Sequence, residues 1–282
     1  MRSIPIKENK QRLLPKHLAR VVTLLLILLI VSICMSLAFG SRTIGLDGLI
    51  DGLFHPSIES HEASVVRQRI ARTIFGLICG AALGVSGALM QSVTRNPIAD
   101  PSILGVNTGA SLFVVCGIAF LSIHSPSDYI WLAIVGAILT AIFVFGIGSM
   151  GASGATPLKL VLAGAATTAI LSSLVTAILI PRTNVMDQFR FWQVGSVGAA
   201  NWDSVHIFVP FLIVGVVIAI IVAPALNALA LGDEVATGLG VRSGVIRMLA
   251  AFAGVLLCGA ATALAGPIGF IGLLATHLIR LV

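Results

Sequence analysis

Charged side chains cut this sequence into long apolar intervals. Residues 21–41 lie between Arg20 and Arg42 without an Asp, Glu, Lys or Arg, and residues 73–94 lie likewise between Arg72 and Arg95. The same holds for 101–127, 129–158, 160–181 and 204–232. A last interval, 248–279, is long enough for two elements. Within it "AGPIGF" (Ala265 to Phe270) places Gly266-Pro267, which removes a backbone donor and breaks a helix. About 18 apolar residues suffice for a helix that crosses a bilayer. The pattern therefore predicts an all-α, polytopic membrane bundle of seven full spans and a shorter eighth. The longest polar connection, 42–72, leaves no room for a soluble domain, so residues 1–282 read as a single transmembrane domain.

One connection is unusual in its chemistry. "SGALMQSVTRNPIADPSILGVNTGAS" (Ser86 to Ser111) begins and ends apolar, yet holds an arginine, an asparagine, two prolines and an aspartate. Pro97 forbids helix continuation and biases Asn96 towards extended backbone. Asp100-Pro101-Ser102 is a helix start, with Asp able to accept amide hydrogens and Pro suited to the first helical position. On local physics this is either a tight helix–loop–helix turn or irregular backbone lining a cavity or gate, because such backbone cannot face lipid.

Composition agrees with the pattern. The chain is 57% hydrophobic and 10% charged, with a mean hydropathy of +1.07, whereas soluble domains carry roughly 25% charged residues. No cleavable leader is predicted: the apolar run 21–39 is longer than a signal-peptide core and no small-x-small site follows it. Arg2, Lys7, Lys10, Arg12, Lys16 and Arg20 form a basic tail over residues 1–20. The positive-inside rule then places the N-terminus in the cytoplasm. Alternating from there, Arg95, Lys159, Arg242, Arg247 and Arg280 also fall inside, while Arg67, Arg69 and Arg72 fall outside.

Several function classes lose their chemistry. Without G-x-x-x-x-G-K-[ST] nothing cradles ATP phosphates. The eleven acidic residues all fall in the tail or in predicted connections. Proton- and sodium-driven carriers bury carboxylates in the membrane, so a secondary carrier and an intramembrane hydrolase are both disfavoured. Cys34, Cys79, Cys116 and Cys258 stand singly in apolar sequence, and the six histidines form no ligand spacing, so no metal site is predicted. Gly76, Gly80 and Gly84 make a small-residue stripe that predicts close helix packing.

The opening stretch resembles the signature of the iron-siderophore and vitamin B12 permease family (FecCD-type), the membrane subunits of type II ABC importers. Further matches follow in order. "RIARTIFGLICGAALGVSGALMQ" resembles the arginine-headed second helix, "LKLVLAGAA" the fifth, and "RFWQVGSVGAANWD" an outer connection. "LALGDEVATGLGV" resembles the ATPase-facing loop and "LAGPIGFIGLLATHLIRLV" the eighth-helix region. The family has ten helices, so on this resemblance the chain is expected to be truncated after its eighth. It also carries Ala71 and Thr276 where the family tends to have proline.

The resemblance implies a permease importing an iron(III)-siderophore-like chelate, with cobalamin or haem as alternatives and a secondary carrier working without an ATPase as the rival class. It implies a bacterial cell-membrane location and a homodimer, or a paired homologous permease. Cytoplasmic ATP-binding subunits would carry the ATP, and an extracytoplasmic solute-binding protein would deliver the chelate. This chain would bind no cofactor and no nucleic acid. Arg69 and Arg72, three apart at an expected helix start, would dock the binding protein, or else anchor at lipid headgroups. Asn96, Pro97 and Ile98, with Thr156, Pro157 and Leu158, would form the cytoplasmic gate, their alternative being ordinary turns. Residues 229–247 would be the cytoplasmic coupling loop. There Asp233 caps a short helix after Gly232, Glu234 sits at its positive end, and Gly238 and Gly240 stop it. Val235 and Leu239 share one face, suited to a cleft in the ATPase. The alternative is a solvated turn.

Overall fold

The computed structural model describes residues 14–40, 45–55, 60–123, 126–151 and 156–280. The basic tail expected over 1–20 lies outside these residues as far as residue 13. In chain order the helices are α1 (Leu14–Ala38), α2 (Leu46–Phe54), α3 (His61–Thr94), α4 (Val106–Phe120), α5 (Pro126–Gly148) and α6 (Pro157–Leu179). They continue as α7 (Thr183–Val194), α8 (Trp202–Ala230), α9 (Asp233–Gly238), α10 (Ser243–Ala265) and α11 (Ile271–Arg280). Short 3-10 turns at Pro101–Leu104 and Val197–Ala199 complete the list, and no strand occurs among the described residues. An all-helical chain is what an apolar solvent demands, since a helix satisfies its backbone groups within one segment.

Two compact units make up the chain, one of residues 1–73 and 278–282, the other of residues 74–277, so that the division falls within α3. In the first unit the Ala19–Ala38 part of α1 is strongly apolar, and none of its residues is buried. α2 lies on the first turns of α3: a Cβ on Gly52 would come within 2.6 Å of the Val66 Cβ. α3 begins eight residues before Arg69 because Ser60 caps it, its hydroxyl oxygen accepting from the Ala63 amide at 3.1 Å. The two arginines are therefore in the helix body, not at its start.

In the second unit α10 is the centre. Of its apolar window, 78% is buried, against α8, α5 and α4. The side chains on its surface are small (Ala253, Gly254, Gly259, Ala260, Ala263), so neighbours approach the backbone closely. Ser86 of α3 donates to the Gly254 carbonyl, and Thr262 of α10 donates to the Asn107 side-chain oxygen of α4 at 2.8 Å. Phe75 and Phe208 join α3 to α8 edge to face, with ring centroids 5.9 Å apart. The break at Gly266-Pro267 falls where expected, between the end of α10 at Ala265 and the start of α11 at Ile271.

Among the described residues six helices are long and apolar enough to cross a membrane: those covering Ala19–Ala38, His61–Thr94, Asp128–Gly148, Leu158–Leu179, Trp202–Ala230 and Ser243–Ala265. The other two expected spans are apolar but shorter. The third, expected over 101–127, is corrected to the 15-residue α4. The 3-10 turn uses the first residues, and Gly105, at φ 72°, then reverses the backbone before α4 starts. At 1.5 Å per residue α4 reaches about 22 Å, less than the ~30 Å hydrocarbon core. α2 and α7 are additional helices inside connections that the charge pattern marks only as polar.

The close approach expected at Gly76, Gly80 and Gly84 occurs elsewhere. A Cβ on Gly76 or Gly80 would meet nothing within 4 Å, and one on Gly84 only the Ala275 Cβ at 3.9 Å. The tight crossing is one turn further on, where a Cβ on Gly87 would stand 2.5 Å from the Gly272 carbonyl oxygen of α11. A Cβ on Gly272 would in turn stand 2.7 Å from the Leu83 carbonyl oxygen. Backbone against backbone leaves nothing that can move aside. Gly87→Val should therefore destabilise the protein by about 3 kcal/mol or more, the upper end for overpacking. Gly80→Ala should be neutral or stabilising by up to ~1 kcal/mol through helix propensity. Thermal unfolding of the detergent-extracted protein checks both, and equal effects at the two glycines would contradict this crossing.

Candidate coupling and gating site

The loop between α8 and α10 is built around one carboxylate. After α8 the chain turns at Gly232, whose φ of 121° suits glycine alone. α9 follows with six residues. Asp233 was expected to cap it, but Gly232 occupies the cap position with no side-chain bond, and Asp233 is the first helical residue. The reason is that its carboxylate is engaged elsewhere. Arg247, from the first turns of α10, donates to both of its oxygens at 2.7 and 3.1 Å. Arg95, just beyond α3, donates to Oδ1 at 2.7 Å. The same Arg95 nitrogen donates to the Leu229 carbonyl at 2.7 Å, one of the last carbonyls of α8, which also accepts the Gly232 amide at 3.1 Å. Burial pushes the Asp233 carboxyl up, but the two guanidiniums, Arg247 foremost, outweigh it and hold the group below the usual carboxylate range.

α9 ends in a Schellman motif. The Gly240 amide donates to the Thr237 carbonyl and the Val241 amide to the Ala236 carbonyl, each at 2.9 Å, with Gly240 left-handed at φ 80°. Gly240 is thus the terminating glycine, whereas Gly238 is the last helical residue. Ala236 is fully buried and seats the helix, while Val235 is 49% and Leu239 66% exposed. The two residues singled out for their shared face point outward, and Glu234 is exposed beside the helix start.

Both proline turns have the same construction. Asn96 accepts the Ile98 amide on its side chain at 3.0 Å, Ala99 is buried, and Asp100 accepts the Ser102 amide at 3.0 Å to start the 3-10 turn. Thr156 caps α6, its hydroxyl facing the Lys159 amide at 3.4 Å, with Pro157 at the first helical position. Ile98 is 68% and Leu158 69% exposed. The elements they start meet directly, because Gly164 of α6 lies against the Ile103 carbonyl of the 3-10 turn. Arg95 and Arg247 were missed as site residues. The sequence signal was available: a lone cation directly before Asn-Pro, and another at the head of an apolar helix, fourteen residues after Asp233.

Arg69 and Arg72 differ from expectation. Arg69 is 5% exposed and donates to the carbonyls of Leu37 and Ala38 at 2.9 and 3.0 Å. Arg72 is half-buried and donates to the Ser36 carbonyl at 3.2 Å. These are the last carbonyls of α1, a helix with no basic residue of its own in its last turn, so the cations complete both its hydrogen bonding and its dipole. Arg69 is a buried helix cap, not a surface docking group. Among the described residues no three His, Cys, Asp or Glu come together as a metal-binding group. A cleft of about 360 Å³ lined by residues such as Leu104, Phe145, Met248 and Phe252 is apolar throughout.

Residues 28–282 match the model of the FecCD transport family. The ferric enterobactin transport system permease protein FepD of Escherichia coli (strain K12) is 40% identical over 258 residues, 91% of this chain and 77% of that protein. The Fe(3+)-citrate import system permease protein YfmD of Bacillus subtilis (strain 168) is 39% identical, over 90% of this chain and 75% of that protein. A solved structure described as an inward-facing conformation of a metal-chelate type ABC transporter superposes with a TM-score of 0.77 at 26% identity. It covers 94% of this chain and 82% of that one.

Capping by Arg69 has a consequence independent of any partner. Arg69→Ala leaves the carbonyls of Leu37 and Ala38 without their donor, at about 1–3 kcal/mol. The purified protein alone should then unfold at lower temperature. A variant as stable as the unaltered protein would return Arg69 to the docking role.

Proposed function

The chain belongs to the FecCD transport family, and from that membership we propose that it is the membrane permease of an ABC importer for ferric siderophores. The named relatives are permeases for ferric enterobactin and Fe(3+)-citrate, both oxygen-donor chelates of iron(III). It is a multi-pass protein of the bacterial inner membrane, with its N-terminus on the cytoplasmic side, as its basic tail supports. It works as a homodimer or beside a homologous permease. A solute-binding protein delivers the chelate outside, where Arg72, less buried than Arg69, remains the candidate contact. ATP is bound and hydrolysed on separate cytoplasmic subunits.

One observation carries the reading: α9 is a six-residue helix fixed by Asp233 and Ala236, yet it presents Val235 and Leu239 to its surroundings. A helix this short does not stand alone. Holding it rigid while it displays two apolar side chains suits insertion into a cleft of a partner, and a carrier without an ATPase has no use for it. The Asn96-Pro97-Ile98 and Thr156-Pro157-Leu158 turns are the cytoplasmic gate. The first polar residue of each accepts the amide of a residue just after the proline, Ile98 onto Asn96 and Lys159 onto Thr156.

Burying Val and Leu in such a cleft yields about 1.5–3 kcal/mol each. Val235→Asp with Leu239→Asp should leave the permease in the membrane and its α9 anchors intact. It should weaken ATPase association by at least about 100-fold, read as loss of the ATPase on co-purification. Full co-purification from the double variant would reject α9 as the coupling element.

A further inference from the structure

We propose that Arg95 is a positioning residue that ties the coupling helix to the cytoplasmic gate turn, so that movement of α9 is delivered to Asn96, Pro97 and Ile98. The inference rests on the ABC-permease reading above and goes beyond it, because it names the physical link between the two sites.

The backbone at Arg95 is the first clue. α3 ends in a Schellman-type turn, with the Asn96 amide donating to the Gln91 carbonyl at 3.3 Å. The residue at the left-handed position of such a turn is ordinarily glycine. Here it is Arg95, at φ 49°. A residue with a Cβ is strained in that region. At Gly240, the matching position of α9, the chain does use glycine. At the end of α3 it accepts the strain and gains a side chain.

That side chain reaches both parts of the loop it would have to grip. One guanidinium nitrogen bonds the Leu229 carbonyl at the end of α8 and the Asp233 carboxylate at the start of α9, each at 2.7 Å. Asp233 is held from the other side by Arg247 of α10, so α9 hangs from two cations on two helices. Only one of those leads to the gate. Asn96 is the next residue after Arg95, and its side chain locks the turn by accepting the Ile98 amide. The path from Asp233 through Arg95 to Ile98 contains one ion pair and otherwise only covalent bonds and short-range turns. Displacing α9 towards or away from α3 therefore turns the Asn96–Ile98 segment, while Arg247 keeps α9 on α10.

The test uses the permease–ATPase complex in vesicles, with native cysteines replaced and Ile98→Cys as reporter. The readout is its reaction rate with a membrane-impermeant maleimide, compared between ATP-bound and vanadate-trapped states. In the unaltered background the two rates should differ by about tenfold, within the range of allosteric coupling. Adding Arg95→Gly, which suits the left-handed backbone, should keep the fold and the bound ATPase but bring the two rates together. Arg95→Lys, which can still pair with Asp233, should restore most of the difference. Arg95→Asn, also tolerant of this backbone, serves as a second loss variant. A nucleotide response undiminished in Arg95→Gly, or absent equally in Arg95→Lys, overturns the link. Failure of the unaltered permease to retain the ATPase, or a reporter that ignores nucleotide before any change at Arg95, would instead overturn the coupling or gating reading, and the link with it.

Discussion

Helix ends are the governing problem for this chain. Inside hydrocarbon no water satisfies the amides and carbonyls that a helix leaves unpaired, so each break between helices must supply its own partners. Three amino-terminal ends are closed by short polar side chains: Ser60 for α3, Thr156 for α6 and Asn201 for α8. Two carboxyl-terminal ends are met by arginines from elsewhere in the sequence, while α3 and α9 close on their own backbone. Arg69 and Arg72 serve α1, and Arg95 serves α8. With few charges in the chain, several of them are spent on this task.

The same economy shapes packing. Lipid tails are as apolar as leucine, so helices associate through close contact and not through hydrophobic burial. α10 is small-sided where its neighbours touch it, and α3 meets α11 at Gly87 and Gly272 with no side chain between. Large apolar side chains occur both inside and at the periphery: Phe75, Phe208 and Leu257 are buried, while Leu24, Ile142, Ile220 and Ile221 stay exposed.

Much of this was legible in the sequence. Charge-free intervals mark the long helices, the Gly266-Pro267 break and the Asp100-Pro101 helix start stand where local chemistry places them, and the ordered motifs identify the family. What escaped depends on partners distant in the chain. Spacing shows Gly76, Gly80 and Gly84 as a stripe, but only the position of α11 shows that Gly87 is where backbones touch. Asp233 has the local pattern of a cap, yet its bonding is decided by Arg95 and Arg247, each remote in sequence. Arg69 carries a charge that argues for the surface, and the end of α1 takes it inside. Local rules hold until a long-range hydrogen bond outcompetes them.

The anchoring of α9 also sets an order of assembly. Six residues cannot pay the entropy of helix nucleation by themselves, and the carboxylate that fixes them draws on Arg247, which follows Asp233 in the chain. During synthesis the segment 233–238 therefore has no stable shape when it first emerges. It acquires one only after the head of α10 is present and the end of α3 is in place beside it. The shape of α9 is thus conditional on α3, α8 and α10 having come together, because the groups around Asp233 and Arg95 belong to all three.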